Sequence, residues 1–261
     1  MAGANTSKLN QLLVNWPLGT VAVAPWLEKQ GIYQQLAYDY EKSGWLRKIG
    51  RGAYVRLNDK LDWPGGLYAI QQQLGRPIHI GAKSALELKG LGVFSQGGTG
   101  AFLYLFGPWQ VKPPTWFMDH DWGRKISYKM FKLFDGKTEM GLTSQSFDSF
   151  EIKISTPERA ILELLYLAPH EQSIEEAMLI MEGLGTLRVG ILQELLNNCR
   201  SIKVKRLFFA LADQCNHSWF KNLDLKQIDM GSGKRSIVKD GTLDPKYQIT
   251  LPKDLVTKKH E

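Results

Sequence analysis

Cysteine is scarce. Cys199 and Cys215 are the only two among 261 residues, which excludes a disulfide-stapled scaffold and points to a reducing compartment. No apolar run approaches the roughly 18 residues that a membrane-spanning helix needs; the best stretch, residues 160–168, is short and contains Glu163. Residues 1–16 lack the basic-then-apolar layout of a secretory signal. The expectation is a cytoplasmic chain with no membrane partner. The 25 glycines follow no period, which excludes a collagen-like chain, and 11% aromatic content is too high for a disordered one. What is present is ordinary globular composition, 43% hydrophobic and 23% charged. The length allows one to two domains.

Charge is the first positive clue. The formal net charge is +7, distributed as +4 over residues 1–60, +2 over 61–155, −2 over 156–230 and +3 over 231–261. Positive charge at the two ends suits a polyanionic partner, because Lys and Arg can replace phosphate counterions. A merely soluble basic surface has the same arithmetic.

The first sixty residues carry a recognisable rhythm. Leu9, Leu12 and Leu13 predict a helix over 7–14, closed by Pro17, which pushes Trp16 out of helical geometry. Pro25 suits the first turn of a second helix, stopped by Gly31. A third helix is predicted over 33–43, with Leu36, Ala37 and Tyr40 inward and Gly44 as its stop. The period then changes to that of strands over 45–49 and 53–57. Between them Gly50-Arg51-Gly52 forms a tight turn whose glycines can take positive φ. Three short helices and a basic hairpin predict a winged helix-turn-helix over residues 1–60.

In such a module the third helix enters the major groove of double-stranded DNA. Gln34 and Gln35 lie near its start, and Gln can bond an adenine edge in two places. Tyr38 and Lys42 follow on the outer side, toward sugar or backbone. Arg51 caps the wing, flanked by Arg47, Lys48 and Arg56. The alternative is a winged helix that touches only protein, which Asp39 and Glu41 favour because acids repel phosphate.

Residues 58–66 are a polar break and the expected domain boundary, leaving 61–261 as a second domain. A helix is expected over 65–74, a strand over 76–81 and a helix over 83–89. Strands are expected over 101–106, 125–134 and 150–154, with Pro113-Pro114 interrupting between the first two. Thr156-Pro157-Glu158 is a helix start: an N-cap, a Pro in the first turn and an acid near the positive dipole end. Ile161, Leu164, Leu165 and Ala168 then share one face, and Glu163 lies four residues after Arg159, within pairing reach. Helical runs follow over 174–184, 189–197 and 204–215, the last with a core stripe of Leu207, Phe208 and Leu211. Gly231-Ser232-Gly233-Lys234-Arg235 is expected as a flexible basic turn, residues 247–251 as a late strand and the last six as frayed. Arg200, Lys203, Lys205 and Arg206 form a candidate cluster for nucleic-acid or partner contact. The fold class is α+β: an N-terminal winged helix-turn-helix, then a mixed α/β domain with a helical C-terminal half.

Other chemistry is thinly represented. Gly136-Lys137-Thr138 lacks the glycine five residues before the Gly-Lys pair that a phosphate-binding loop needs, and Gly97-Gly98-Thr99-Gly100 lacks the lysine. Cys199, Cys215 and His217 fall short of four zinc ligands. Asp119-His120-Asp121 gathers a base and two acids, but neighbours on one loop seldom converge on one substrate. One enzymatic alternative has a layout of its own. Asp135 and Asp148 precede Glu151 and Lys153, which share a strand face as in metal-dependent nucleases; plain strand alternation explains the same pattern. No cofactor, metal or catalytic residue is otherwise expected.

Several islands resemble one family. The run 44–54, Gly44-Trp45-Leu46-Arg47-Lys48-Ile49-Gly50-Arg51-Gly52-Ala53-Tyr54, looks like the wing of AbiEi-type antitoxins, the antitoxin and regulator halves of bacterial type IV toxin–antitoxin (abortive infection) systems. Residues 79–91, from His79-Ile80-Gly81-Ala82-Lys83-Ser84 to Leu91, look like the family's first C-domain segment. Ser155-Thr156-Pro157-Glu158-Arg159-Ala160-Ile161 is similar to its helix-opening motif. Gly231 to Arg235 followed by Leu243-Asp244-Pro245-Lys246-Tyr247 looks like its C-terminal stretch. The islands occur in matching order along nearly the whole chain. The resemblance implies a DNA-binding N-domain that represses its own operon, and a C-domain that neutralises a cognate nucleotidyltransferase-like toxin.

Overall fold

A computed structural model describes residues 2–92, 102–136 and 139–257. The glycine run at 97–100, Lys137, Thr138 and the last four residues lie outside them. The chain divides into two compact units. The first comprises Met1–His79, Thr99–Met130 and Ser144–Lys153; the second comprises Ile80–Gly98, Phe131–Thr143 and Ile154–Glu261. The fold is α+β, as its sequence implied, and the first unit runs well past residue 60.

The first unit opens with α1 (Ala2–Asn15), β1 (Ala22–Val23), α2 (Ala24–Lys29), α3 (Gln34–Lys42), β2 (Leu46–Gly50) and β3 (Ala53–Arg56). The three strands form an antiparallel sheet in the order β1-β3-β2. This is the order of elements in a winged helix-turn-helix. The two-residue strand β1 was not expected. Both short helices end in the same way. Gly31 (φ +77°) and Gly44 (φ +73°) take the left-handed conformation. Ile32 N–H then reaches Leu27 O at 2.9 Å, and Trp45 N–H reaches Tyr40 O at 2.9 Å. These bonds satisfy the orphan carbonyls of the last turn. Leu9, Leu12, Trp16, Leu27, Ile32, Ala37, Tyr40 and Leu46 form the module's core.

The chain continues without a gap. Asp62 caps α4 (Trp63–Tyr68), accepting a bond from Trp63 N at 2.7 Å. The helix runs on as a π-turn through Ala69–Gln73. Gly65 lies so close to Gly19 that a Cβ would meet its carbonyl oxygen at 1.8 Å. The polar break at 58–66 is therefore half helix, packed against the loop after α1.

Next come β4 (His79–Ile80), α5 (Ala82–Leu88), β5 (Phe102–Gly107), α6 (Thr115–Asp119), β6 (Lys125–Met130), β7 (Leu142–Phe147) and β8 (Phe150–Ser155). The larger sheet has the order β6-β5-β4-β8-β7. β5 pairs with β6 in parallel from Phe102↔Lys125 to Gly107↔Met130. Two elements went unpredicted. The Pro113-Pro114 pair, expected only to interrupt, sets up α6, with Pro114 as its N-cap residue. β7 carries no apolar alternation.

The second unit is dominated by α7 (Pro157–Leu167), α8 (Ile174–Gly183), α9 (Val189–Asn198) and α10 (Ile202–Cys215), followed by the hairpin of β9 (Thr242–Asp244) and β10 (Ile249–Leu251) and by α11 (Lys253–Thr257). Ile161, Leu164, Leu165 and Ala168 are fully buried, as are Leu207, Phe208 and Leu211. Among the described residues, no helix is long and apolar enough to cross a membrane.

Candidate nucleic-acid interface

α3 buries Ala37 and Tyr40 and half-buries Leu36. That leaves Gln34, Gln35, Tyr38, Asp39 and Lys42 exposed. Gln35 Nε2 donates to Asp39 Oδ1 at 3.1 Å, so one N–H of the glutamine is engaged on the exposed face of the helix. The Lys42 ammonium lies 4.8 Å from the centre of the Tyr38 ring, an attraction that steadies both side chains.

The wing is β2 and β3 with the turn between them. Leu46 pairs with Arg56, Arg47 with Val55, Lys48 with Tyr54 and Gly50 with Ala53, with an irregularity between Lys48 and Gly50. Arg47, Lys48 and Arg51 are exposed. Gly52 has φ +68°, and its carbonyl accepts a bond from Ala24 N at 2.8 Å, which ties the turn to the start of α2. Gly50 does not adopt positive φ. It is glycine because Trp116 of α6 packs on it: a Cβ at position 50 would lie 2.6 Å from the Trp116 Cβ.

Arg56 does not join the exposed set. Residues opposite one another in an antiparallel pair share a face; Leu46 is buried, and Arg56 turns inward. Its Nη2 donates to Leu13 O at 2.8 Å and also to Trp16 O. Its guanidinium stands 5.4 Å from the Trp16 ring centre. Arg56 caps the C-terminal end of α1 and is withheld from solvent.

The basic cluster of α10 is likewise drawn inward. Arg206 is only 3% exposed. It donates to the carbonyls of Met230 (2.7 Å), Gln248 (3.0 Å) and Gly231 (3.1 Å), and to Gly233 O. The glycine-rich segment expected to be a flexible turn is thus pinned, and Arg235 N–H adds a bond to Gln248 O at 2.9 Å. Lys205 is 4% exposed. Lys203 donates to Tyr166 O at 2.7 Å. Only Arg200 is exposed, and it lies 3.6 Å from Asp135.

Two of the family-like islands meet in the second unit. Glu163 is fully buried and accepts from Arg159 Nε (2.7 Å), Ser155 Oγ (2.7 Å) and Ala82 N (3.1 Å). Arg159 also donates to Met140 O at 2.6 Å. Beside this hub, Glu158 accepts from Arg188 N, Nε and Nη2 at 2.9, 3.1 and 2.9 Å. Burial works against ionisation of Glu158, but these bonds outweigh it and hold the carboxyl below its usual range. A cleft of about 530 Å³ lies alongside, lined by Gly136, Met140, Thr156, Arg188 and Asn198 among others.

Among the described residues, those of the other candidate chemistry are engaged in local contacts. Asp135 pairs with Lys132 (3.2 Å) as well as Arg200, and Glu151 accepts from Ser146 Oγ (2.9 Å). The backbone of Lys153 is bonded through both its N–H and C=O to the Gln71 amide. Among the described residues, no group of three or more His, Cys, Asp and Glu side chains could hold a metal ion. Burial pushes the thiols of Cys199 and Cys215 up to about 11, and His217 Nε2 bonds Met181 O at 2.8 Å. Asp121 Oδ1 accepts from Gly123 N at 2.9 Å in a turn, while His120 sits on Trp122 and next to the wing.

The N-terminal elements are consistent with a winged helix-turn-helix and continue into a mixed α/β region. The chain belongs to the AbiEi family. Residues 5–94 match the family described as transcriptional regulator, AbiEi antitoxin N-terminal domain, and residues 101–252 match transcriptional regulator, AbiEi antitoxin, type IV TA system. The family resemblance read from the sequence is therefore correct. No curated protein matches the chain. Its fold is similar to that of the crystal structure of RV2827C protein from Mycobacterium tuberculosis, with a TM-score of 0.60 at 13% identity over 99% of this chain and 95% of that one.

Proposed function

We propose that this protein is a DNA-binding repressor of its own operon and the antitoxin to a nucleotidyltransferase-like toxin encoded beside it. The observation that carries the first half is the exposed face of α3 next to a wing bearing Arg47, Lys48 and Arg51, in a chain of a transcriptional-regulator family. Gln34 and Gln35 offer groups to base edges, Tyr38 and Lys42 meet sugar or phosphate, and the wing arginines and Lys48 anchor the backbone. Repression is operator occupancy and requires no catalytic residue. Function divides as residues 1–60 for reading DNA and 61–261 for neutralising the toxin.

The test is binding of the full chain to its own upstream DNA and to unrelated DNA across a salt series. Tight, sequence-preferring binding that weakens steeply with salt supports the repressor. Equal and weak binding to both duplexes rejects it and favours a winged helix that contacts protein. Co-expression with the neighbouring toxin tests the second half: growth is expected to recover, and unrelieved toxicity would refute the antitoxin role.

A further inference from the structure

The sheet that carries the wing runs in the order β1-β3-β2, so β1 lies at its edge. An edge strand presents N–H and C=O groups that need partners. The helix formed by α4 and its π-turn supplies them. Val21 N–H, just before β1, donates to Gly65 O at 3.2 Å. Gln73 Nε2 donates to Val21 O at 2.8 Å, and Gln73 Oε1 accepts from Val23 N–H at 2.9 Å. A side-chain amide carries an acceptor and donors side by side. Here it spans Val21 and Val23 in place of a further strand.

This amide acts where the reading elements begin. Val23 is the N-cap residue of α2. The next N–H, that of Ala24, donates to Gly52 O in the wing turn at 2.8 Å. Two successive N–H groups at the head of α2 are thus held from two sides, one by the π-turn and one by the wing. α2 then passes through Gly31 into α3. Gln71 on the same turn has a different task. Residues two apart do not face each other on a helical turn. Gln71 bonds Ile78 O at 2.7 Å and both backbone groups of Lys153, C=O at 3.0 Å and N–H at 2.7 Å. Gln72, between the two, is exposed.

We propose that Gln73 is a positioning residue for DNA reading, acting through β1 and α2. By fixing their junction against the wing turn, it sets the placement of α3 relative to the wing. Gln34 and Gln35 then reach base edges in the same docking in which Arg47, Lys48 and Arg51 meet the backbone. The inference rests on the DNA-binding reading above and extends the reading unit past residue 60. Recognition groups must be held to within about 0.5 Å, so they depend on the residues that support them. Phosphate contacts fix orientation and carry no sequence information. Loosening the junction therefore lowers the preference for the operator more than it lowers binding to DNA in general.

The test is fluorescence anisotropy of the full chain on a duplex of its own upstream DNA and on an unrelated duplex, at fixed salt and pH, with urea unfolding of each variant beside it. Gln73→Met keeps the length and removes both bonds. It should shrink the affinity ratio between the two duplexes by about tenfold, the worth of one base contact, and leave binding to unrelated DNA close to the parent's. Gln71→Met removes three bonds from the same turn and should lower the urea midpoint comparably, yet keep the parent's ratio. A merely structural role for Gln73 predicts instead that the ratio follows the midpoint in both variants. Gln73→Glu keeps the bond from Val23 N–H, where a carboxylate also suits the head of a helix. It should fold even where Gln73→Met does not, with a ratio below the parent's and above that of Gln73→Met. A ratio unchanged in every folded Gln73 variant, or lost equally in Gln71→Met, would overturn the inference and leave the repressor intact. Weak and equal binding of the unsubstituted chain to both duplexes would reject the DNA reading itself.

Discussion

Gly50 on the wing and Trp116 on α6 occupy adjoining space so closely that a methyl group on Gly50 would come within 2.6 Å of the tryptophan Cβ and 3.2 Å of its Cα. The obstacle is the root of a buried side chain, not a flexible tip. The wing of this protein is therefore braced from behind by a segment some sixty residues downstream, and a glycine in a strand marks a close approach rather than a turn.

Gly50→Ala should cost about 1–3 kcal/mol, the usual penalty for forcing a methyl group into a packed contact. It should also weaken DNA binding, because the displaced strand carries Arg47 and Lys48. Urea unfolding measures the first effect and anisotropy the second. Trp116→Gly in the same chain removes the Cβ that a methyl group on residue 50 would meet, so the double variant should be more stable than the sum of the single effects predicts. Strict additivity would show that the two residues are not coupled.

Arg51→Ala and Arg56→Ala should separate cleanly. Arg51 is exposed at the wing tip, so its loss should leave the unfolding midpoint within about 0.5 kcal/mol while reducing the salt slope of DNA binding by about one. Arg56 bonds two carbonyls at the end of α1, and its loss should cost about 1.5–3 kcal/mol of stability. If Arg56→Ala unfolds like the parent yet binds DNA poorly, the inward placement is wrong.

If α3 reads DNA as proposed, Asp39 should act on recognition through Gln35, to whose amide it is bonded. With one Gln35 N–H engaged by Asp39, the side-chain oxygen is left as an acceptor suited to an adenine N6 or cytosine N4 donor. Asp39→Ala frees the amide to rotate and removes an acid that repels phosphate. Affinity for unrelated DNA should rise, and the gap between operator and unrelated duplex should shrink by about 1 kcal/mol. Competition binding with the two duplexes reads this directly. A gap that widens would show that Asp39 is no restraint.

The parts of this fold that follow from local chemistry were legible. Gly31 and Gly44 end helices because left-handed caps need glycine, Pro157 opens α7, and the four-residue spacing of Arg159 and Glu163 brings them into a buried pair. What escaped was non-local or short. β1 is two residues long, α6 five, and β7 reads Leu-Thr-Ser-Gln-Ser-Phe, an edge strand with no apolar rhythm. Charge misled in a consistent way. Arg56, Lys205 and Arg206 looked like partner-binding cations, yet each is drawn into the protein, and two of the three arginine–carbonyl and lysine placements depend on chain segments far away in sequence. For Arg56 the register with Leu46 was no signal by itself, since Arg47 and Lys48 also lie opposite buried residues and are exposed. For Arg206, whose acceptors begin 24 residues later, no local pattern exists. His120 was visible only as part of an acid–base triplet; its ring contact with Trp122 was not.

The last expectation concerns acid. Glu158 is 2% exposed in its side chain and collects three hydrogen bonds from Arg188, whose own side chain is 59% exposed. Its carboxyl is held below the ordinary value of 4.5 in the folded state. The sign follows from linkage. A carboxyl depressed on folding contributes stability that is complete above the unfolded value and is lost as pH falls through the folded one. The protein should therefore lose stability as pH drops below about 4.5, with Glu176, also held low against burial by Lys83 and Gln172, contributing in the same interval. Glu158→Gln keeps the shape and removes the charge. At pH 7 it should cost about 1–2 kcal/mol, a figure reduced by solvent around the exposed arginine. Its stability should then fall less steeply than the parent's between pH 5 and pH 3, so that the two urea midpoints converge in acid. Parallel curves across that range would mean that Arg188 binds the neutral carboxyl as well as the charged one, and that acid lability resides in Glu176 and the other carboxylates instead.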